Sequence, residues 1–380
     1  MKLLNNSAKL RSIIVGLFSI FSSQLVAEEP GDSLVWKGVY AFYNNETAQA
    51  VEILTEARQK YPLNAAVHFT WATSRWLDSQ ANDSIEMSHK VLNRDLDTVI
   101  PLYKSLVKEY PDKPLYKLYL GSAEGLKARI FLGNKRWFKA LIPAYKGFKI
   151  TKNVADNHPE IKDAQLPIGL VEYYAAIRST LLKWAATFFG LKTSKEEGLA
   201  KIEIAAREGN FAWIEARHLL AFIYLWEAPN YLGALEHAKI LSEEFPKSFY
   251  FQLLYIESLL KIGKTDNVLE MLKKLDDELT NLTSIQISHF KSYLDYEWAL
   301  YWFLKDELEK ALKYLERGIA NYQAELDVFL GNSYLLQGNI YDILDNRSKA
   351  KSAYKNCIEL DNNSYSVKLA KTYFKTPFQK

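Results

Sequence analysis

Residues 50–62, AVEILTEARQKYP, decide how this chain is read. Ala50, Leu54 and Ala57 sit at offsets of four and three, one apolar stripe of a helix, and Tyr61-Pro62 then stops it. Proline cannot donate the next helical hydrogen bond, and it drives the residue before it out of the helical region. The same offsets recur at Val99, Tyr103, Leu106 and Tyr110-Pro111, and again at Ala234, Ala238, Leu241 and Phe245-Pro246. One helix with one stop signal, repeated, predicts an array of stacked helical hairpins.

Composition points the same way. Gly and Pro number only 16 and 11 in 380 residues, aromatics reach 14%, and no Pro/Gly/Ser-rich linker divides the chain. A chain this long with few breakers suits quasi-one-dimensional stacking better than two separate globules.

Near the C-terminus, Tyr334-x-x-Gln337-Gly338-x-x-Tyr341 is followed by Ala350, Tyr354 and Cys357. This resembles the tetratricopeptide repeat, whose pattern is Trp-x-x-Leu-Gly-x-x-Tyr, then Ala, Phe or Tyr, Ala, and a closing Pro. Gln337 replaces the usual Leu, and Asn362 stands at the Pro position. The spacing carries back through Ala299, Trp302 and Ala311; Ile256, Gly263 and Val268; Ala221, Tyr224 and Ala234, with one extra residue around Pro229; Ala128, Ala140 and Gly147; and Gly38 with Ala50. The resemblance implies an all-α fold, a right-handed solenoid of about eight antiparallel helix pairs over residues 28–380. Irregular repeats are expected at 64–115 and 153–207. Residues Phe189-Gly190-Leu191-Lys192 and Glu197-Gly198-Leu199 are similar to a segment of the inclusion-body-clearance branch of these proteins.

The N-terminus reads as a cleavable export signal. Lys2, Lys9 and Arg11 precede the apolar run Ser12 to Val26, and Ala27 precedes Glu28-Glu29-Pro30-Gly31. The run is shorter than the roughly 20 residues a membrane span needs. Cleavage after Ala27 makes the protein periplasmic or secreted and leaves 45 Lys+Arg, down from 48, against 45 Asp+Glu. A balanced charge gives nucleic-acid binding no support. The single cysteine, Cys357, cannot form an internal disulfide, so burial alone must stabilise the fold. The apolar helix expected from Ile168 to Leu191 contains Glu172, Arg178 and Lys183, charges that argue against a membrane span.

No catalytic or cofactor motif is present: no nucleophile elbow, zinc-protease helix, phosphate loop or paired-cysteine metal spacing. Glu215-x-x-His218 is half of the set a di-metal bundle needs, without a second copy, and reads as a polar pair lining the groove. The expected role is therefore a non-catalytic scaffold that holds a protein or peptide partner in its concave groove, with no cofactor and no metal. Two features are candidate contacts. Lys127, Arg129, Lys135, Arg136, Lys139, Lys146, Lys149 and Lys152 fall in a window free of acids, a pattern that suits an acidic peptide or an anionic glycan or lipid. Tyr296 and Phe303 fall where first helices of such repeats face the groove, while Trp298 and Trp302 point between helices.

Overall fold

A computed structural model describes residues 29–133, 136–177, 194–324, 326–362 and 364–380. The expected signal at 1–27, and residues 178–193 of the expected apolar helix, lie outside the described residues. Seventeen α-helices and one short 3-10 turn are present, and there is no strand among the described residues. They pair as α1 (Asp32–Tyr43) with α2 (Thr47–Lys60), α3 (Val67–Asn82) with α4 (Ile85–Glu109), and α5 (Pro114–Gly133) with α6 (Trp137–Asn157). Then come α7 (Gln165–Ile177) with α8 (Lys195–Glu208), α9 (Ala212–Trp226) with α10 (Tyr231–Glu244), and α11 (Phe249–Lys261) with α12 (Val268–Leu279). The last pairs are α13 (Ser284–Leu304) with α14 (Leu308–Ala320) and α15 (Val328–Ile343) with α16 (Arg347–Glu359), capped by α17 (Tyr365–Tyr373). The described residues form an α-solenoid of eight stacked helix pairs.

Local sequence sets the ends. Helices α2, α4 and α10 stop at Lys60, Glu109 and Glu244, each two residues ahead of Pro62, Pro111 and Pro246. Ser84, Ser194, Asn230, Asn346 and Ser364 accept backbone N–H groups at helix starts, and Thr283 with Gln286 forms a capping box at the head of α13. Three hairpins share one turn that the stop signal did not announce. Asn45, Asp306 and Asp345 hold left-handed backbone at φ 63°, 64° and 55°. In each, the next N–H closes back on a carbonyl five residues earlier: Glu46 on Ala41, Glu307 on Trp302 and Asn346 on Tyr341. Asn and Asp tolerate that conformation better than other residues with a Cβ.

The expected irregular stretches have specific causes. In 64–115 the second helix, α4, runs for 25 residues against 14 for α2 and carries Pro101 within it. In 153–207 the 3-10 turn Lys162–Ala164 links the third pair to the fourth. The Asp163 carboxylate in that turn accepts the Asn210 and Ala212 N–H groups at 2.8 and 2.6 Å, so it caps α9 from a distance. Burial pushes this carboxyl upward despite those hydrogen bonds.

Glycine sets the tightest packing. A Cβ on Gly147 would lie 2.6 Å from the Gly121 carbonyl oxygen and from the Gly125 nitrogen, so α5 and α6 touch backbone to backbone. A Cβ on Gly125 would meet only the Gly147 Cα, at 4.0 Å. Gly147→Ala should therefore destabilise the fold by about 1–3 kcal/mol through overpacking that no side chain can relieve. Gly125→Ala should be neutral, or stabilising by up to about 1 kcal/mol through helix propensity. Urea denaturation of the two variants checks the contrast, and equal losses would mean that backbone contact does not set the α5–α6 spacing.

Candidate functional site

First helices of successive pairs touch one another (α1 with α3, α9 with α11, α11 with α13, α13 with α15), and the chain itself covers part of this side. Trp36, Tyr40 and Tyr43 form a stripe at offsets of four and three on α1. Trp36 stacks on Phe211 with ring centroids 4.3 Å apart, Tyr40 lies 5.2 Å from Phe245, and Tyr43 lies 5.3 Å from Phe245 and 5.7 Å from Phe251. The Tyr40 hydroxyl donates to Glu244, 204 residues further along the chain. The turn after α1 is pinned as well. Lys247 Nζ pairs with Glu46 at 2.6 Å, its N–H donates to Asn44 Oδ1, and Asn45 Nδ2 donates to its carbonyl. Next in line, the Thr283 hydroxyl at the start of α13 donates to the Ala81 carbonyl in α3. The first two pairs thus close against the fifth, sixth and seventh.

Inside this closed turn lies the Glu215–His218 pair. His218 Nδ1 is 3.3 Å from Glu215 Oε2, and the Tyr43 hydroxyl donates to the same oxygen at 3.5 Å. Burial pushes the Glu215 carboxyl up, but His218, Tyr43 and the charge of Arg129 together hold it below its ordinary value. Among the described residues, no group of three His, Cys, Asp or Glu side chains could hold a metal ion. The pair is part of the seam between α1 and α9.

A second polar cluster lies between α9, α11 and α13, buried except for the partly exposed Lys261. Trp226 Nε1 donates to Glu257 Oε1 at 2.8 Å, Lys261 Nζ lies 3.5 Å from that oxygen, and Lys261 donates to the Tyr296 hydroxyl at 2.8 Å. Glu297 abuts Glu257, and neither carboxyl is exposed to solvent. Burial, followed by the negative charge of Glu257, raises Glu297 well above the carboxyl range. Burial also raises Glu257, against the opposing pull of Lys261 and the Trp226 hydrogen bond. With Glu297 protonated, the Glu257 carboxylate and the Lys261 ammonium leave the cluster with zero net charge, the arrangement a low-dielectric site favours.

This cluster corrects the expectation for Tyr296. The residue lies on the inner helix as expected, but it is 2% exposed, because α11 and α15 pack on either side of α13 and Lys261 takes its hydroxyl. Phe303 is half-buried, and the chain's own C-terminal segment covers it: Lys380 Nζ sits 5.1 Å above its ring and 2.6 Å from Asp306. Trp298 and Trp302 stack on one another along α13, and Trp298 also stacks on Tyr314 of α14.

The basic window divides into engaged and free cations. Lys127 pairs with Asp97 at 2.6 Å, Lys146 with the buried Glu124 at 2.5 Å, and Lys152 with Asp156 at 2.7 Å. Arg129 lies over the Trp76 ring at 5.9 Å. Arg136, Lys139 and Lys149 are exposed and form no ion pair among the described residues. Lys135 lies outside the described residues. No acid between 125 and 155 can neutralise the free cations locally. A cleft of about 210 Å³ opens beside α1, lined by Lys37, Tyr40, Asn44, Glu46, Gln49 and Ile53.

No family description matches the sequence, and neither does any curated protein. Solved helical-repeat structures do. A tetratricopeptide repeat protein from Parabacteroides merdae is 14% identical over 91% of this chain and 97% of its own, with a TM-score of 0.32. The apo form of the quorum sensor NprR from B. thuringiensis is 14% identical over 87% of this chain and 98% of its own, at 0.44. Yeast Tom70 is 10% identical over 91% of this chain and 95% of its own, at 0.29. What they share with this chain is the stacked helix pair, which its own geometry already establishes.

The acid pair makes stability depend on pH with a defined sign. A raised carboxyl pKa means that the folded state keeps a proton the unfolded state has lost. Its contribution is therefore full below the ordinary carboxyl value and declines as pH rises through the raised one. Glu297→Gln should remove that decline, so that its stability relative to wild type grows by up to about 1.4 kcal/mol per pH unit above pH 5. Urea denaturation of both proteins across pH 4 to 8 measures the difference, and parallel curves would show that Glu297 keeps no such proton.

Proposed function

We propose that this protein is a non-catalytic interaction scaffold of the bacterial cell envelope, exported by its N-terminal segment and binding partner proteins or their extended peptides. The observation that carries the reading is the continuous stack of eight helix pairs, which presents a long, rigid, chemically varied surface suited to many modest contacts. Because α1 meets the fifth and sixth pairs on one side, we propose partner contact at the edge of that seam, on the first pair itself. There the 210 Å³ cleft between α1 and α2 exposes the edge of Tyr40 beside Gln49 and Ile53, an aromatic anchor at the mouth of a pocket.

Two outcomes follow. Mass spectrometry of protein recovered by osmotic shock should find a chain beginning at Glu28, and an intact chain beginning at Met1 in the cytoplasmic fraction would remove the envelope assignment. The immobilised protein should retain a defined partner from envelope extract at moderate salt. Gln49→Arg, an exposed change that places a guanidinium across the cleft, should reduce retention at least tenfold. A partner held equally by both proteins would sink the seam as the contact surface.

A further inference from the structure

The window between Glu124 and Asp156 contains a surface that the scaffold reading leaves unused. On α6, Lys139, Ile142, Lys146 and Lys149 follow one another at offsets of three, four and three, a single stripe about 15 Å long at 1.5 Å per residue. Ile142 is 72% exposed, more than any other large apolar side chain among the described residues. Arg136 at the head of the helix is exposed, and it, Lys139 and Lys149 have no acid beside them among the described residues. Lys146 is anchored on Glu124, which keeps the stripe's middle cation in place.

We propose that this face of α6 docks the protein peripherally on an anionic phospholipid surface. The charges alone would suit any polyanion, so the choice rests on Ile142. A solvated anionic glycan offers an isoleucine nothing to bury against, and a lone helix ridge has no walls to enclose an acidic peptide. A bilayer interface supplies both negative headgroups and an apolar layer directly beneath them. Each unneutralised cation near such a surface strengthens partitioning roughly fivefold, so Arg136, Lys139 and Lys149 together give about a hundredfold, which falls as salt screens them. That is weak, reversible attachment. It is compatible with a chain in which no described helix is long and apolar enough to cross a membrane. The inference stands apart from the seam proposal, because α6 and the cleft share no residue.

The test is co-sedimentation of the full mature chain with vesicles of phosphatidylcholine containing about one-third phosphatidylglycerol. Pure phosphatidylcholine vesicles and soluble heparin run alongside, at low and high salt. Binding to the anionic vesicles at low salt only is expected. Lys139→Glu with Lys149→Glu should weaken it at least tenfold, and Ile142→Asp should do the same while its thermal melt matches wild type. If Ile142→Asp binds vesicles as wild type does, the apolar contact is absent and the proposal fails. Capture by heparin without capture by vesicles would assign the face to a soluble polyanion instead. No binding to anionic vesicles at low salt overturns the proposal outright.

Discussion

The structure depends on the contact of α1 with the helix ends around Phe211, Phe245 and Lys247, and of α3 with α13. In a simple solenoid each repeat touches only its neighbours, and stability is close to a sum of nearest-neighbour terms. Here the Trp36–Phe211 stack and the Tyr40, Tyr43 and Lys247 contacts span some two hundred residues. Most buried side chains from Val35 to Ile340 form one continuous core, with smaller clusters around Leu118 and Ala50 apart from it. Two consequences follow from polymer physics. The first hairpin cannot reach its final packing until the fifth exists, so a fold rich in local contacts acquires a few of high sequence separation, which slow folding. Once made, those contacts tie the ends of the array together, so opening the first pair exposes apolar surface on the fifth and sixth as well.

What was legible in the sequence was the local code. The Tyr-Pro and Phe-Pro stops ended α2, α4 and α10 where expected. Gly338 marked a close approach: a Cβ there would fall 2.3 Å from the Tyr354 ring. The extra residue at Pro229 appears as a four-residue turn between α9 and α10. The Asn/Asp turns at 45, 306 and 345 were equally visible and give an independent mark of the hairpin, since few other residues accept that backbone. What the sequence did not reveal is which repeats meet across the turn. Trp36, Tyr40 and Tyr43 do form a second apolar stripe on α1, about a quarter-turn from the one holding Val35 and Val39. A helix with two such faces must be covered on both, but nothing in the stripe says by what.

The same gap explains Tyr296 and Phe303. Seven residues apart on one helix, they share a side, and periodicity places that side inward. Whether inward means open groove or closed core depends on the superhelix, a property of accumulated small rotations rather than of any local motif. Glu257 and Glu297 were invisible for a related reason. Each is an ordinary surface residue by type, and only the approach of α11 to α13 brings them together with Lys261. An acid pair in the core would be intolerable as two charges. With Glu297 protonated and Glu257 balanced by the Lys261 ammonium, it becomes tolerable.

Closure also divides the surface between tasks. The inner helices, which in an open solenoid would be free to hold a ligand, here contribute mainly to stability. The outer helices are therefore the place where sequence is least constrained by packing. The two that depart most from the repeat are α4 and α6, at 25 and 21 residues against 12 to 14 for the second helices of the fifth and later pairs. α4 outruns its 16-residue partner α3, whereas α6 is matched by the 20 residues of α5, so Ile142 and Lys139 stand exposed on a side of α6 that its partner does not bury. On that side an apolar residue, or a cation without an acid, contributes nothing to packing.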